Sequence, residues 1–196
     1  MSTVPTATSI AAATGRLYLV RALIALVWAG LLAVALSSAG TLGPDSGLPG
    51  FAVVLLILYP VVDVVASLVD ARTQRASGIP GVARTQLVNA VISTVTTLAV
   101  VVAALDGPAS VLRVFGAWAL LTGLIQLSLA VARRRRGQRG QWAMIISGGL
   151  SAVIGLTFVT AASEPEISLG GVNGYAVGGA ILYLVSAYRL FRAARA

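Results

Sequence analysis

The chain contains no cysteine, no histidine and no lysine, and only six acidic residues. The missing cysteines exclude disulfides, thiol catalysis and thiolate metal sites. Without histidine there is no imidazole catalysis and no His-ligated haem. Without lysine there is no Schiff-base amine and no phosphate-binding P-loop. No cofactor is expected from the residue types that remain. Charge of either sign is scarce: 10% of the 196 residues are charged, against about 25% in an ordinary soluble domain. Hydrophobic residues make up 58% and the mean hydropathy is +0.93. Such a chain cannot cover a water-facing surface and reads as an integral membrane protein. A helical span takes about 20 apolar residues, so the length holds six or seven spans and leaves no soluble domain. The formal charge of +8 is then topogenic charge on one membrane face, and no nucleic-acid partner is expected.

Residues 1–15 are small, polar and proline-containing, and read as a flexible cytoplasmic tail. Apolar runs at about 17–36, 51–69, 86–105, 110–132, 142–162 and 169–190 predict six transmembrane helices within one membrane domain, 16–196. The runs are continuous rather than alternating, which favours helices over a membrane barrel. Residues Ala33 to Ala39 faintly resemble a processing site, but a long uncharged leader and an overlong apolar run argue against cleavage. Turn-forming stretches lie at Gly43 to Gly47, Gly78 to Gly81, Asp106 to Pro108 and Ser163 to Glu166. With six spans, every arginine except Arg113 falls on one side or just inside it. The positive-inside rule therefore predicts both termini in the cytoplasm.

The spans repeat. Tyr59, Trp118 and Tyr175 occupy similar places in the even-numbered spans, at spacings of 59 and 57 residues. Arg21, Asn89 and Ser147 are single polar residues near the start of the odd ones. The fold expected is all-α, with three parallel helical-hairpin repeats at about 16–72, 84–133 and 141–190.

Ionisable side chains inside a span cost at least about 2.5–3.5 kcal/mol at its centre. Arg21 and Asp63 lie at matching depths in the first two spans and are predicted to form a buried ion pair. Its role is either a structural clamp, the favoured reading, or part of a proton or ion relay. Asn89, Ser93 and Thr97 form a polar stripe at helical spacing, with Gln126 at the depth of Asn89. The stripe serves interhelical hydrogen bonding or lines a hydrated groove. Ser147, Ser151 and Gly155 in the fifth span, with Gly174 and Gly178 in the sixth, form a candidate helix-contact face. It would pack the last hairpin together or form a dimer interface. Arg133, Arg134, Arg135 and Arg136 form a juxtamembrane cluster, either a topology anchor or a contact for anionic lipid.

Several of these features resemble the HdeD-like family of small bacterial multi-pass membrane proteins associated with acid resistance. They are the three hairpins of nearly 60 residues, the stretch from Leu19 to Leu23 around Arg21, and Tyr59 four positions before Asp63. To these add Gly140-Gln141-Trp142, Ile146 to Gly155, Gly174 to Gly179, and Tyr188-Arg189. The resemblance covers residues 16–195. It departs from the family in a longer first outer loop and in Pro60, a residue that weakens or kinks a helix. It implies a non-enzymatic protein of the bacterial inner membrane, related to stress or acid resistance and acting through lipid or protein association. It supplies no catalytic residues. Two other readings stand beside it: a small transporter or channel with a polar path at Asp63 and Asn89, and an accessory subunit of a larger membrane complex. The partners expected are the bilayer itself, a second copy of the chain or such a complex.

Overall fold

The structure, a computed structural model, describes residues 7–75 and 81–195. Six helices follow in order: α1 (Ala7–Leu36), α2 (Gly50–Arg75), α3 (Val82–Asp106), α4 (Pro108–Arg135), α5 (Gln141–Ala161) and α6 (Gly170–Arg195). The shortest has 21 residues and the longest 30, or about 32–45 Å at 1.5 Å per residue. All six are long and apolar enough to cross a membrane. Only 28–39% of each apolar window is buried against protein. Val27, Val91, Val102 and Val153, among many others, point outward, which is tolerable only where the solvent is lipid. The fold is an all-helical, multi-pass membrane architecture.

The helices close into a ring. Each packs on its two neighbours in sequence, and α6 returns to α1. The ring has a proximal end, where α1 starts and α6 stops, and a distal end. The closest packing runs between successive hairpins, at α4–α5, α1–α6 and α2–α3, so the predicted hairpins at 16–72, 84–133 and 141–190 are not the tightest units. The reason at α4–α5 is steric. Gly116 and Gly123 of α4 face Gly155 and Gly148 of α5, and a Cβ on Gly116 or Gly123 would come within 2.6–2.8 Å of the opposing carbonyl oxygen. Small residues let the two backbones meet. At α1–α6 the contact is made by Ala22, Ala25 and Ala180, and by Gly15 beneath the Phe191 ring.

Two sequence expectations change here. The tail assigned to 1–15 is helical from Ala7 onward. Ala11, Ala12 and Ala13 are strong helix formers, Thr14 is buried, and its hydroxyl donates to the Ile10 carbonyl at 2.9 Å. The remainder of that tail, and the turn expected at Gly78 to Pro80, lie outside the described residues. The helix-contact face is also divided. Gly155 packs on α4 rather than α6, while Gly174 and Gly178 are exposed, with open space where a Cβ would stand.

The distal half of the ring is filled by Trp28, Leu32, Leu56, Leu112, Phe115, Phe158 and their neighbours. Over it folds the α1–α2 loop. Ile167 N–H donates to the Leu42 carbonyl at 2.8 Å and Ala109 N–H to the Pro44 carbonyl at 3.2 Å. Gly107, at φ +130°, passes so close to Pro44 and Asp45 that no side chain fits there. Helix α2 runs continuously through Pro60. In the turn where proline opens the helical ladder, the Trp28 indole N–H donates to the Leu55 carbonyl at 2.6 Å.

The glycine contacts make a direct prediction. Gly155→Leu must force α4 and α5 apart, at a cost beyond the usual 1–3 kcal/mol of overpacking. At Gly174 the added Cβ of a leucine has no atom within 4 Å. Folded yield and thermal midpoint in detergent are expected to collapse for the first and to stay near wild type for the second.

Candidate functional site: a charged cavity inside the helix ring

Along α2, Asp63, Ser67, Asp70 and Gln74 fall at i, i+4, i+7 and i+11, so one face of an otherwise apolar helix is polar and points into the ring. Asp63 is 7% exposed. A carboxylate so placed survives as an ion only if its lone pairs are met. Arg21 Nη2 of α1 lies 2.5 Å from Oδ1. Asn89 Nδ2 and Ser93 Oγ of α3 donate to Oδ2 at 2.8 and 2.7 Å. Asn89 also donates to Ser67 Oγ at 2.8 Å, and the Trp118 indole N–H of α4 donates to Ser93 Oγ at 3.0 Å. The residues read separately as an ion pair and a polar stripe thus form one network across four helices.

Two members of the stripe stand apart. Thr97 donates back to the Ser93 carbonyl at 2.9 Å, satisfied within its own helix. Gln126 bonds elsewhere: Tyr183 OH of α6 donates to its Oε1 at 3.0 Å, and its Nε2 donates to the Met144 carbonyl of α5 at 3.4 Å. The Arg21 guanidinium lies over the Tyr183 ring, 4.8 Å from its centroid, so the second cluster adjoins the first.

Nearer the proximal end a second ion pair is buried. Arg133 Nη2 of α4 lies 2.6 Å from Asp70 Oδ2, and Nη1 donates to Tyr18 OH at 2.8 Å. Gln86 Nε2 donates to the same carboxylate oxygen, and Gln74 Nε2 donates to Oδ1 at 3.2 Å. This corrects the arginine cluster. Arg133 is 3% exposed and is no lipid contact, because the helix turns it inward on the face of Gln126 and Ala130. Arg134, Arg135 and Arg136 remain exposed, and Arg134 stacks over Trp142 at 4.0 Å. Sequence reasoning missed the Asp70–Arg133 pair, although the period of polar residues along α2 and the i, i+4, i+7 series ending at Arg133 both signalled it.

Between the packed distal core and the Asp70 layer lies a cavity of about 170 Å³, lined by all six helices. Tyr59, Trp118 and Tyr175, the repeated aromatics, all line it, as do Arg21, Asn89 and Ser147, the repeated polar residues. The internal repeat therefore wraps around a single site. Tyr59 and Trp118 meet edge to face at 5.7 Å, and Tyr59 stacks on Trp28 at 4.1 Å. Ser151 Oγ donates to the Ala119 carbonyl at 2.9 Å, which leaves Tyr175 OH to donate to Ser151 at 2.8 Å.

The lining keeps unused hydrogen-bonding capacity. Asn89 Oδ1 is buried without a partner among the described residues. Ser147 lines the cavity with no hydrogen bond to the described residues, and so does the Tyr59 hydroxyl. Two arginines and two aspartates compensate each other, so the site has no net charge to offer a ligand. Among the described residues, no group of three or more carboxylates stands together to hold a metal ion.

These pairs predict unequal mutational costs. Removing one partner of a buried pair typically costs about 3–5 kcal/mol, and an exposed charge about 0–1. Arg133→Met is therefore expected to lower the denaturation midpoint strongly and Arg134→Met hardly at all, measured on purified protein in one detergent. In the same assay, Arg21→Leu with Asp63→Leu should be more stable than Asp63→Leu alone, which strands a buried cation. Equal losses would contradict the pairing.

Comparison with known proteins comes to one match. Residues 88–160 match a family described as a short repeat of unknown function (DUF308), a stretch that runs from α3 through α4 to α5. No curated protein and no solved structure matches the chain. The matched stretch covers a little over a third of the sequence and includes Asn89, Trp118, Gln126, Arg133, Ser147 and Ser151 of the cavity wall.

Proposed function

We propose that this chain is a non-enzymatic bacterial inner-membrane protein of the HdeD-like type, serving stress or acid resistance, whose working part is the cavity inside its helix ring. The repeat family matched by residues 88–160 includes HdeD-like membrane proteins, which supports the type. One observation carries the choice of site. The Arg21–Asp63 pair, with Asn89, lines a space of about 170 Å³ whose wall keeps hydroxyls at Ser147 and Tyr59 that are unpartnered among the described residues. A clamp needs no such space, since a pair used only for structure is best sealed by packing. The cavity instead fits reversible binding of a small hydrogen-bonding ligand, with Asp63 as its central group.

A path for ions or protons through Asp63 and Asn89 is the second reading. Its support is the continuous polar face of α2 from Asp63 to Gln74. Against a through-path stands the distal core, where Leu32, Leu56, Leu112 and Phe115 are fully buried. Both readings place the termini on the arginine-rich, cytoplasmic side.

The test is cytoplasmic pH after an acid shock in a deletion strain carrying wild type, Asp63→Asn or empty vector, with membrane insertion checked for each protein. Wild type is expected to slow acidification and Asp63→Asn to lose most of that protection. If wild type and empty vector acidify alike, the acid-resistance role is wrong. If Asp63→Asn protects like wild type, the cavity is not the working part.

A further inference from the structure

The cavity has no evident route to water. On the distal side it is closed by the apolar core around Leu32 and Phe115. On the proximal side stand the Asp70–Arg133–Tyr18 network and the cluster of Ala130, Met144, Ala187 and Leu190. A gap exists elsewhere, in the wall. Helices α5 and α6 are joined by side-chain hydrogen bonds at two levels, and beyond the second the Phe158 ring of α5 lies against Gly171 of α6. At one, Ser186 Oγ donates to the Gly140 carbonyl at 2.8 Å; at the other, Ser151 meets Tyr175 at 2.8 Å. These contacts are eleven residues apart along each helix, about 16 Å. Between them the helices part. Gly178 lines the cavity and yet is exposed, and Gly178 and Gly179 have no atom within 4 Å of where a Cβ would stand. Opposite them on α5, Leu150 both lines the cavity and is 50% exposed. The gap falls mid-span, at the depth of acyl chains.

From this geometry we infer that the cavity is filled from within the bilayer, through a window between α5 and α6, by a single-chain amphiphile with a small uncharged hydroxyl or carboxylic-acid head. The inference rests on the cavity being a binding site and adds the ligand class and its route. Three features fix the class. The window opens on lipid, so its ligand is one that lipid dissolves. The arginines are already neutralised by aspartates, so an anionic head gains little from them, whereas a neutral head can pair with the Ser147 and Tyr59 hydroxyls, which line the cavity without a hydrogen bond to the described residues. The volume, about 170 Å³, takes a small head and the first few methylenes of its chain. The rest of the chain passes out over Gly178 into the bilayer, where the missing side chain leaves it room.

The test uses the full chain in phosphatidylcholine vesicles and hexadecan-1-ol carrying a photoactivatable diazirine at its third carbon, with adducts mapped by mass spectrometry. Wild type is expected to be labelled at window and cavity residues such as Ser147 and Leu150. Gly178→Leu, which places a branched side chain in the window from a Cβ position with no atom within 4 Å, is expected to lower that labelling at least tenfold. Gly149→Leu, at an equally open glycine of α5 outside the cavity wall, should label like wild type. Adducts confined to outward residues such as Val153 and Val185 would overturn the inference, whatever the variants do. So would cavity labelling that Gly178→Leu leaves unchanged. If the cavity stays unlabelled while Asp63→Asn still abolishes acid protection, the cavity keeps its role and only the membrane route and ligand class are wrong.

Discussion

A carboxylate held between apolar helices is the constraint from which the rest of this structure follows. In hydrocarbon an ionised Asp63 has no water to meet it, and the cost of leaving it bare exceeds what one helix contact returns. The chain meets it with a guanidinium from α1 and two neutral donors from α3, and a Trp118 indole from α4 holds one of those donors in place. Four of the six helices are committed to one side chain. The same solution recurs nearer the proximal end, where Asp70 draws Gln86 from α3 and Arg133 from α4, and Arg133 in turn donates to Tyr18 of α1. Helix association in lipid lacks the hydrophobic drive available in water. These polar links, together with glycine-on-glycine packing, therefore specify which helices are neighbours.

The carboxylates belong to α2 alone, yet their partners lie on helices to either side, so charge ties together one half of the ring. The other half, α5 and α6, has no ion pair to α2 among the described residues and is joined by small residues: the four glycines between α4 and α5, and the alanines between α6 and α1. This division explains the loose seam between α5 and α6. It is bridged at two levels by serine hydrogen bonds and left open between them. A half tied by charge beside an open α5–α6 seam leaves a charged interior facing a gap in the wall. That arrangement supports the binding role proposed for the polar cluster, beyond its part in holding helices together.

Much of this was legible in the sequence because lipid imposes simple rules. Helix number and approximate span positions follow from apolar run length. The Arg21–Asp63 contact follows from counting residues inward from the first and last charges of an antiparallel pair. The repeat also held its meaning, since Tyr59, Trp118 and Tyr175 reach one cavity. What failed depended on helix rotation, which depth arithmetic does not supply. Arg133 stands in a run of four arginines and only its phase turns it inward, whereas Arg134 faces out. Gly174 and Gly178 have the spacing of a contact stripe as good as that of Gly148 and Gly155. Whether a small-residue stripe meets a neighbour or an opening depends on the partner helix. Gly116 and Gly123, seven residues apart on α4, supply the partner on one side, and α6 meets none.

Closure of the ring, α6 returning to α1 around the charged interior, is the claim that everything else depends on. The absence of native cysteine makes it directly measurable. Ala22→Cys with Ala180→Cys places two thiols in one buried cluster, to be treated in membranes with a short bifunctional thiol reagent and scored on a denaturing gel. Closure predicts an efficient cross-link within a single chain, and none when Val27→Cys, which points outward, replaces Ala22→Cys. Cross-links formed only between separate chains, or equally well from Val27→Cys, would contradict the ring and the enclosed cavity with it.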